Sequence, residues 1–145
     1  MKFKLNDFAG AKEVRERVFM QEQGFKNEFD EIDSDRRCIH ICAYENDSLV
    51  GCSRIFPSEM EPNTDTIKGK WVFGRLAVLP EYRKGGRGSE ILAESERAAK
   101  NAGATEIHLH AQCSAMPFYE RSGYAAYGPV EFDEHVEHRW MSKKL

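Results

Sequence analysis

The sequence predicts an α/β domain. Three observations point there: a strand–turn–helix unit over Lys70–Ala102, a hairpin of two apolar runs within 38–56, and an alternating strand at Glu106–Ala111. All lie within 145 residues, with no internal repeat, low-complexity tract or linker, so residues 1–145 read as one domain.

In chain order, Met1–Asn6 reads as a short strand. Asn6 or Asp7 can cap a helix whose buried stripe is Phe8, Ala11, Val14 and Val18, ending near Gly24. Glu13, Arg15, Glu16 and Arg17 are expected mostly to face water. Lys26–Asp35 is acidic and polar, a solvated loop by composition or a lining for a cationic amine. Cys38–Tyr44 and Leu49–Phe56 pair across a Glu45–Ser48 turn, and Ser58–Gly69 is a long polar loop containing Pro62 and Asn63.

Trp71–Leu79 is a strand stopped by Pro80, and the apolar positions 91, 92, 95, 98, 99 and 102 form one face of a helix with Gly103 at its C-terminal cap. In Glu106–Ala111, Ile107, Leu109 and Ala111 alternate with His108 and His110. A last helix starts after Ser114, a good N-cap, with Pro117 in its first turn.

Between the central strand and helix lies Arg83-Lys84-Gly85-Gly86-Arg87-Gly88-Ser89. Glycines permit tight backbone and close ligand approach. The first helical turn leaves amides without partners at the positive end of the helix dipole, and three cations surround them. Such a turn suits a phosphate or pyrophosphate. It is not a P-loop, which needs Gly-Lys-Ser/Thr. It is not a complete dinucleotide fingerprint either, because Ile91 stands at the third glycine.

A formal net charge of −3 argues against a nucleic-acid surface. No apolar run is long enough to span a membrane and no signal peptide is evident, so a cytoplasmic protein is expected. Cys38, Cys42, Cys52 and Cys113 lack metal-site spacing and read as reduced thiols; no metal is expected.

Arg83-x-x-Gly86-x-Gly88 resembles the Arg/Gln-x-x-Gly-x-Gly/Ala signature of the GNAT superfamily of acyl-CoA-dependent N-acetyltransferases. Arg75–Arg83 before it resembles that family's fourth strand and exit. Ala115-x-x-Phe118-Tyr119-x-x-x-Gly123-Tyr124 resembles its second signature, with Gln112 where an Asn is usual. Arg15-x-Arg17-Val18-Phe19-x-x-Glu22-Gln23-Gly24-Phe25 and His138-x-x-Met141 resemble the ElaA-like branch.

The resemblance implies a mixed, mostly antiparallel sheet of about six or seven strands with helices on both faces and splayed central strands. It implies acetyl-CoA as cosubstrate and an amine acceptor attacking in a ternary complex, and dimers are common in the family. Pantetheine would lie against Leu76, Ala77 and Val78, with Gln112 reaching its arm. The pyrophosphate would sit on the amides of Lys84, Gly85, Gly86, Arg87, Gly88 and Ser89, with Arg83 and Arg87 adding charge. A bulge near Phe73–Arg75 would help splay the strand, and a backbone N–H near Val78 would polarise the thioester. Tyr119 is the implied general acid. Glu22, His110 and His138 are candidate bases, with Glu22 alternatively binding the amine, and Arg54 and Arg75 could face the acceptor. The N-terminal pattern, with Glu31-x-Asp33 and Arg54, also resembles acyl-homoserine-lactone synthases. A non-catalytic CoA-binding sensor of the same fold is the third reading.

Overall fold

The computed structural model describes residues 1–61 and 67–145. The predicted loop residues Pro62 and Asn63 lie outside the described residues. A seven-stranded sheet runs in the order β1-β2-β3-β4-β5-β7-β6. Its strands are β1 (Lys2–Leu5), β2 (Ile39–Glu45), β3 (Ser48–Pro57), β4 (Lys70–Val78), β5 (Glu106–Gln112), β6 (Ala125–Asp133) and β7 (Val136–Lys144). Every pairing is antiparallel except β4 with β5. That one parallel pair follows from the crossover helix between them.

Helices α1 (Phe8–Arg15) and α2 (Arg87–Asn101) pack on opposite faces. Ala11, Val14, Val18 and Phe19 meet Cys42, Cys52, Ala77 and Leu79 on one side. Ile91 meets Ala43 and Val50 on the other, while Leu92, Ala98 and Ala99 join Ile41, Ile55 and Phe73. Neighbouring strand residues such as Cys42 and Ala43 point to opposite faces, so each helix reads a different half of the alternation. Asp7, rather than Asn6, caps α1, accepting from the Gly10 amide at 3.1 Å. After α2, Ala104 donates to Ala99 and Gly103 (φ 106°) to Lys100, a Schellman stop that requires the glycine's left-handed backbone. No helix among the described residues is long and apolar enough to cross a membrane.

Four local expectations change. Arg15 is fully buried and Phe8 is 37% exposed, because the segment after α1 folds its carboxylates inward over Arg15. The helix continues past Arg15 as a π-helix, Glu16–Glu22, whose wider turns carry Gln23 and Phe25 over the sheet. Ser114 caps nothing: Cys113–Ala115 is a 3-10 turn, and α3 (Met116–Arg121) begins after Ala115. The cysteines agree with expectation: Cys38, Cys42 and Cys52 are buried free thiols and Cys113 a half-buried one; burial pushes the Cys38 thiol up to about 11.

Candidate active site

The site begins where two strands part. β4 pairs with β5 from Lys70–Glu106 to Phe73–Leu109 and no further. There Arg75 and Leu76 together oppose the single β3 residue Ser53, a bulge whose Arg75 sits at φ 54°. Beyond it β4 stays on β3 and β5 stays on β7, opening a cleft of about 650 Å³.

The β4 edge facing the cleft has a defined polarity. The Leu79 amide donates to the Val50 carbonyl at 2.8 Å. Antiparallel pairs alternate, so Ala77 turns its amide and carbonyl toward β3, while those of Leu76 and Val78 point away from it, toward the cleft. Arg83 Nε donates to that outward Val78 carbonyl at 2.9 Å. Leu76, Ala77 and Val78 all line the cleft, but Ala77 does so without free backbone groups.

At the end of β4 the chain turns through three successive left-handed residues, Lys84 (φ 80°), Gly85 (φ 102°) and Gly86 (φ 78°), into α2. Among the described residues the amides of Lys84, Gly85, Gly86, Arg87, Gly88 and Ser89 have no hydrogen-bond partner, and no side chain caps the helix. This is a concavity of N–H groups at a positive helix end, suited to an anion. A second hollow of about 410 Å³ adjoins the turn.

The expected charges are rearranged. Arg83 forks onto Glu22 at 2.7 Å through both terminal nitrogens. Arg87 is bound to the Glu45 carboxylate, with Nη2 at 3.0 Å. Each pair offsets the arginine's charge in place, so among the described residues lining the two hollows the cations without an ion-pair partner are Lys84 and Arg121. Arg121 lines the second hollow and carries no sequence signal. Packing of α3 on the start of α2 brings it there: the Phe118 ring lies 3.5 Å from where a Gly88 side chain would begin.

Tyr119 lines the cleft at 8% exposure, edge-on to Phe73, Phe118 and Tyr124. Burial pushes its phenol well above the usual value, so it stays neutral. Among the described residues nothing hydrogen-bonds its hydroxyl. Gln112 also lines the cleft, its amide donating to Gln23 Oε1 at 2.8 Å from the opposite lip.

Of the candidate bases, the structure brings His138 and His110 to the cleft but not Glu22. Glu22 is exposed and its carboxyl is held below the ordinary range by the hydrogen bond from Arg83, which makes it a poor proton acceptor. His110 is sandwiched between the rings of His138 (5.0 Å) and Trp140 (4.9 Å), with Nε2 3.3 Å from Glu131. His138 is 6% exposed, and its Nδ1 lies 2.9 Å from the Val136 carbonyl. A carbonyl only accepts, so Nδ1 donates to it, and in the neutral imidazole Nε2 is the acceptor.

The acidic loop was expected to meet solvent or substrate; four of its carboxylates instead hold arginines, Asp35 the neighbouring Arg37 at 3.0 Å and the other three a buried set. Arg15 binds Glu28 (2.8 Å) and Asp33 (2.7 Å), Arg54 binds Asp30 (2.7 Å) and Asp33 (2.8 Å), and Arg75 lies 2.8 Å from Glu28 and 3.6 Å from Asp30. Glu31 stays exposed outside this lattice. Arg54 and Arg75 do line the cleft, with their charge compensated.

Burial alone would raise the Asp33 carboxyl. Hydrogen bonds from Arg15 and the Asp30 amide, with the charges of Arg15 and Arg54, outweigh it and hold the group well below the usual range. A depressed carboxyl stabilises fully above its unfolded pKa and loses that contribution as pH falls through its folded value. Asp33→Asn should therefore destabilise the fold by about 3–5 kcal/mol near neutrality, because Arg15, Arg54 and Arg75 are left to share the carboxylates of Glu28 and Asp30. Its stability should also fall less steeply below about pH 4 than that of the unsubstituted chain. Urea unfolding at several pH values checks both.

The chain matches the Acetyltransferase (GNAT) domain family over residues 6–145. It is 33% identical over 133 residues to the uncharacterised N-acetyltransferase YjcF of Bacillus subtilis (strain 168), covering 90% of this chain and 87% of that protein. The crystal structure of Escherichia coli ElaA superposes with TM-score 0.82 at 20% identity, covering 98% of each chain. The CoA-dependent acyl-homoserine lactone synthase BjaI, solved with SAM and isopentyl-CoA, superposes with TM-score 0.80 at 16% identity, covering 95% of this chain and 76% of that one. The last two speak for the fold.

Proposed function

Because this chain belongs to the GNAT acetyltransferase family, we propose that it moves an acetyl group from acetyl-CoA to a primary amine of a small molecule or peptide, by direct attack in a ternary complex. One observation carries the reading: the outward-facing edge of β4 runs directly into the amide-lined turn. An extended chain ending in a diphosphate is the ligand that uses both. Residues 1–145 act here as one acetyltransferase domain. A cytoplasmic location and a homodimer belong to the same reading.

Each step then falls to a group already placed. The turn's amides, with Lys84 and Arg121, hold the diphosphate. The cleft-facing backbone groups of Leu76 pair with the pantetheine arm, as a neighbouring strand would, and Val78, whose carbonyl already holds Arg83 Nε, lies beside it. The Val78 N–H faces the thioester oxygen, where negative charge grows as the amine attacks. Tyr119, kept neutral by burial, donates its hydroxyl hydrogen toward the departing sulfur. His138 Nε2 accepts the proton that the amine sheds. His138→Gln should lower kcat about 100-fold with acetyl-CoA affinity unchanged, the scale for a lost acid–base group; equal kcat would remove His138 from the chemistry.

The test is thiol release from acetyl-CoA across a panel of alkylamines, diamines, amino acids and peptide N-termini, with product masses. Amine-dependent release with an acetylated product supports the proposal. Release that requires SAM supports lactone-type synthesis instead. CoA binding with no release under any condition supports a sensor.

A further inference from the structure

The bulge that parts β4 from β5 centres on an unusual residue for its conformation. Left-handed φ favours Gly, Asn or Asp, yet Arg75 holds 54° although Gly74 is its neighbour. Such a conformation persists where the surroundings over-determine it.

Here the surroundings are ionic and remote in sequence. Arg75 Nε lies 2.8 Å from Glu28 Oε2, and Nη2 donates to the Glu28 carbonyl at 3.0 Å. Glu28 is 5% exposed and is itself gripped by fully buried Arg15, through its carboxylate at 2.8 Å and its carbonyl at 3.1 Å. The Arg75 side chain is therefore clamped from the loop between the π-helix and β2, while from the sheet itself the Cys52 thiol donates to the Arg75 carbonyl at 3.5 Å. Three residues further along the same strand is Val78, whose amide points into the cleft.

We propose that Arg75 is a positioning residue: clamped by Glu28, it sets the bulge and thereby aims the Val78 N–H at the acyl carbonyl. The inference rests on the acetyltransferase reading. It couples the acyl-CoA slot to the loop that lines the acceptor end, since Glu28 and Asp30 border that end of the cleft. Arg75 touches no reacting atom in this account, and the turn that holds the diphosphate is independent of it.

The full-length protein is compared with Arg75→Lys and Arg75→Gly. Lysine keeps the charge but lacks the planar fork. Glycine relieves the left-handed backbone but removes the clamp, and is the variant expected to fold readily. The readouts are CoA affinity by calorimetry and the infrared band of the carbon-13-labelled acetyl carbonyl in bound acetyl-CoA. In the unsubstituted protein this band should shift to lower frequency, and acetyl-CoA binding without that shift overturns the inference. In both variants CoA affinity should stay within about twofold while the shift falls by more than about half. A full shift in Arg75→Gly overturns the inference, because the bulge then needs no clamp. If Arg75→Lys does not fold, Arg75→Gly decides alone. Loss of CoA affinity in step with the shift in Arg75→Gly also overturns it, marking Arg75 as merely structural. No acetyl-CoA binding by the unsubstituted protein overturns the underlying reading, and the inference with it.

Discussion

Gly86→Asp is expected to abolish CoA binding, weakening it by at least about 100-fold, or about 2.7 kcal/mol, while the protein stays folded. Gly86 precedes α2 at φ 78°, and nothing lies within 4 Å of where its Cβ would stand, so a side chain fits sterically. Asp is among the residues that tolerate this backbone region, at a cost of about 1 kcal/mol relative to glycine. Its carboxylate at the start of α2 interacts favourably with the helix dipole and offsets part of that cost. The same carboxylate stands against the amides proposed for the diphosphate and repels it. Calorimetric titration with CoA and a thermal scan separate the two effects. A folded variant with unchanged affinity removes the turn from the binding site.

Tyr119→Phe should lower kcat about 100-fold or more, with CoA affinity within about twofold. The ring packs on Phe73, Phe118 and Tyr124, and phenylalanine preserves those contacts. Among the described residues the hydroxyl has no partner, so removing it strands no other group. Stability should be unchanged, because Tyr119 lines the cleft and its hydroxyl holds no other described group. The steady-state rate with a responsive amine, beside the melting temperature, checks both halves. Undiminished turnover would mean that water or another group protonates the sulfur.

What the sequence disclosed follows the range of the interactions involved. The turn at Arg83–Ser89, the α2 stripe and the Gly103 stop are local, written in neighbouring residues, and were legible. The mixed sheet, its splay and the bulge came through resemblance to the family rather than from periodicity. β6 and β7 were not legible as strands: β6 is exposed at nearly every position and contains Gly128-Pro129, so it shows no alternation. Ionic partnerships across the fold were the least legible. Arg15 reads as a water-facing helix residue until Glu28 and Asp33, 13 and 18 positions away, close over it. Glu22 reads as a base until Arg83, 61 positions on, claims it. Arg121 belongs to neither signature, and only the packing of α3 against α2 brings it to the turn.

Thermal unfolding with acetyl-CoA, CoA, ATP and SAM, each near 100 times its dissociation constant where it binds, tests the central claim most directly. Binding at that level adds about 2.7 kcal/mol, which raises Tm by several degrees, roughly 5–10 °C, in a domain of this size. The account predicts shifts with acetyl-CoA and CoA and none with SAM. A SAM shift without a CoA shift, or no shift with either CoA species, would contradict it.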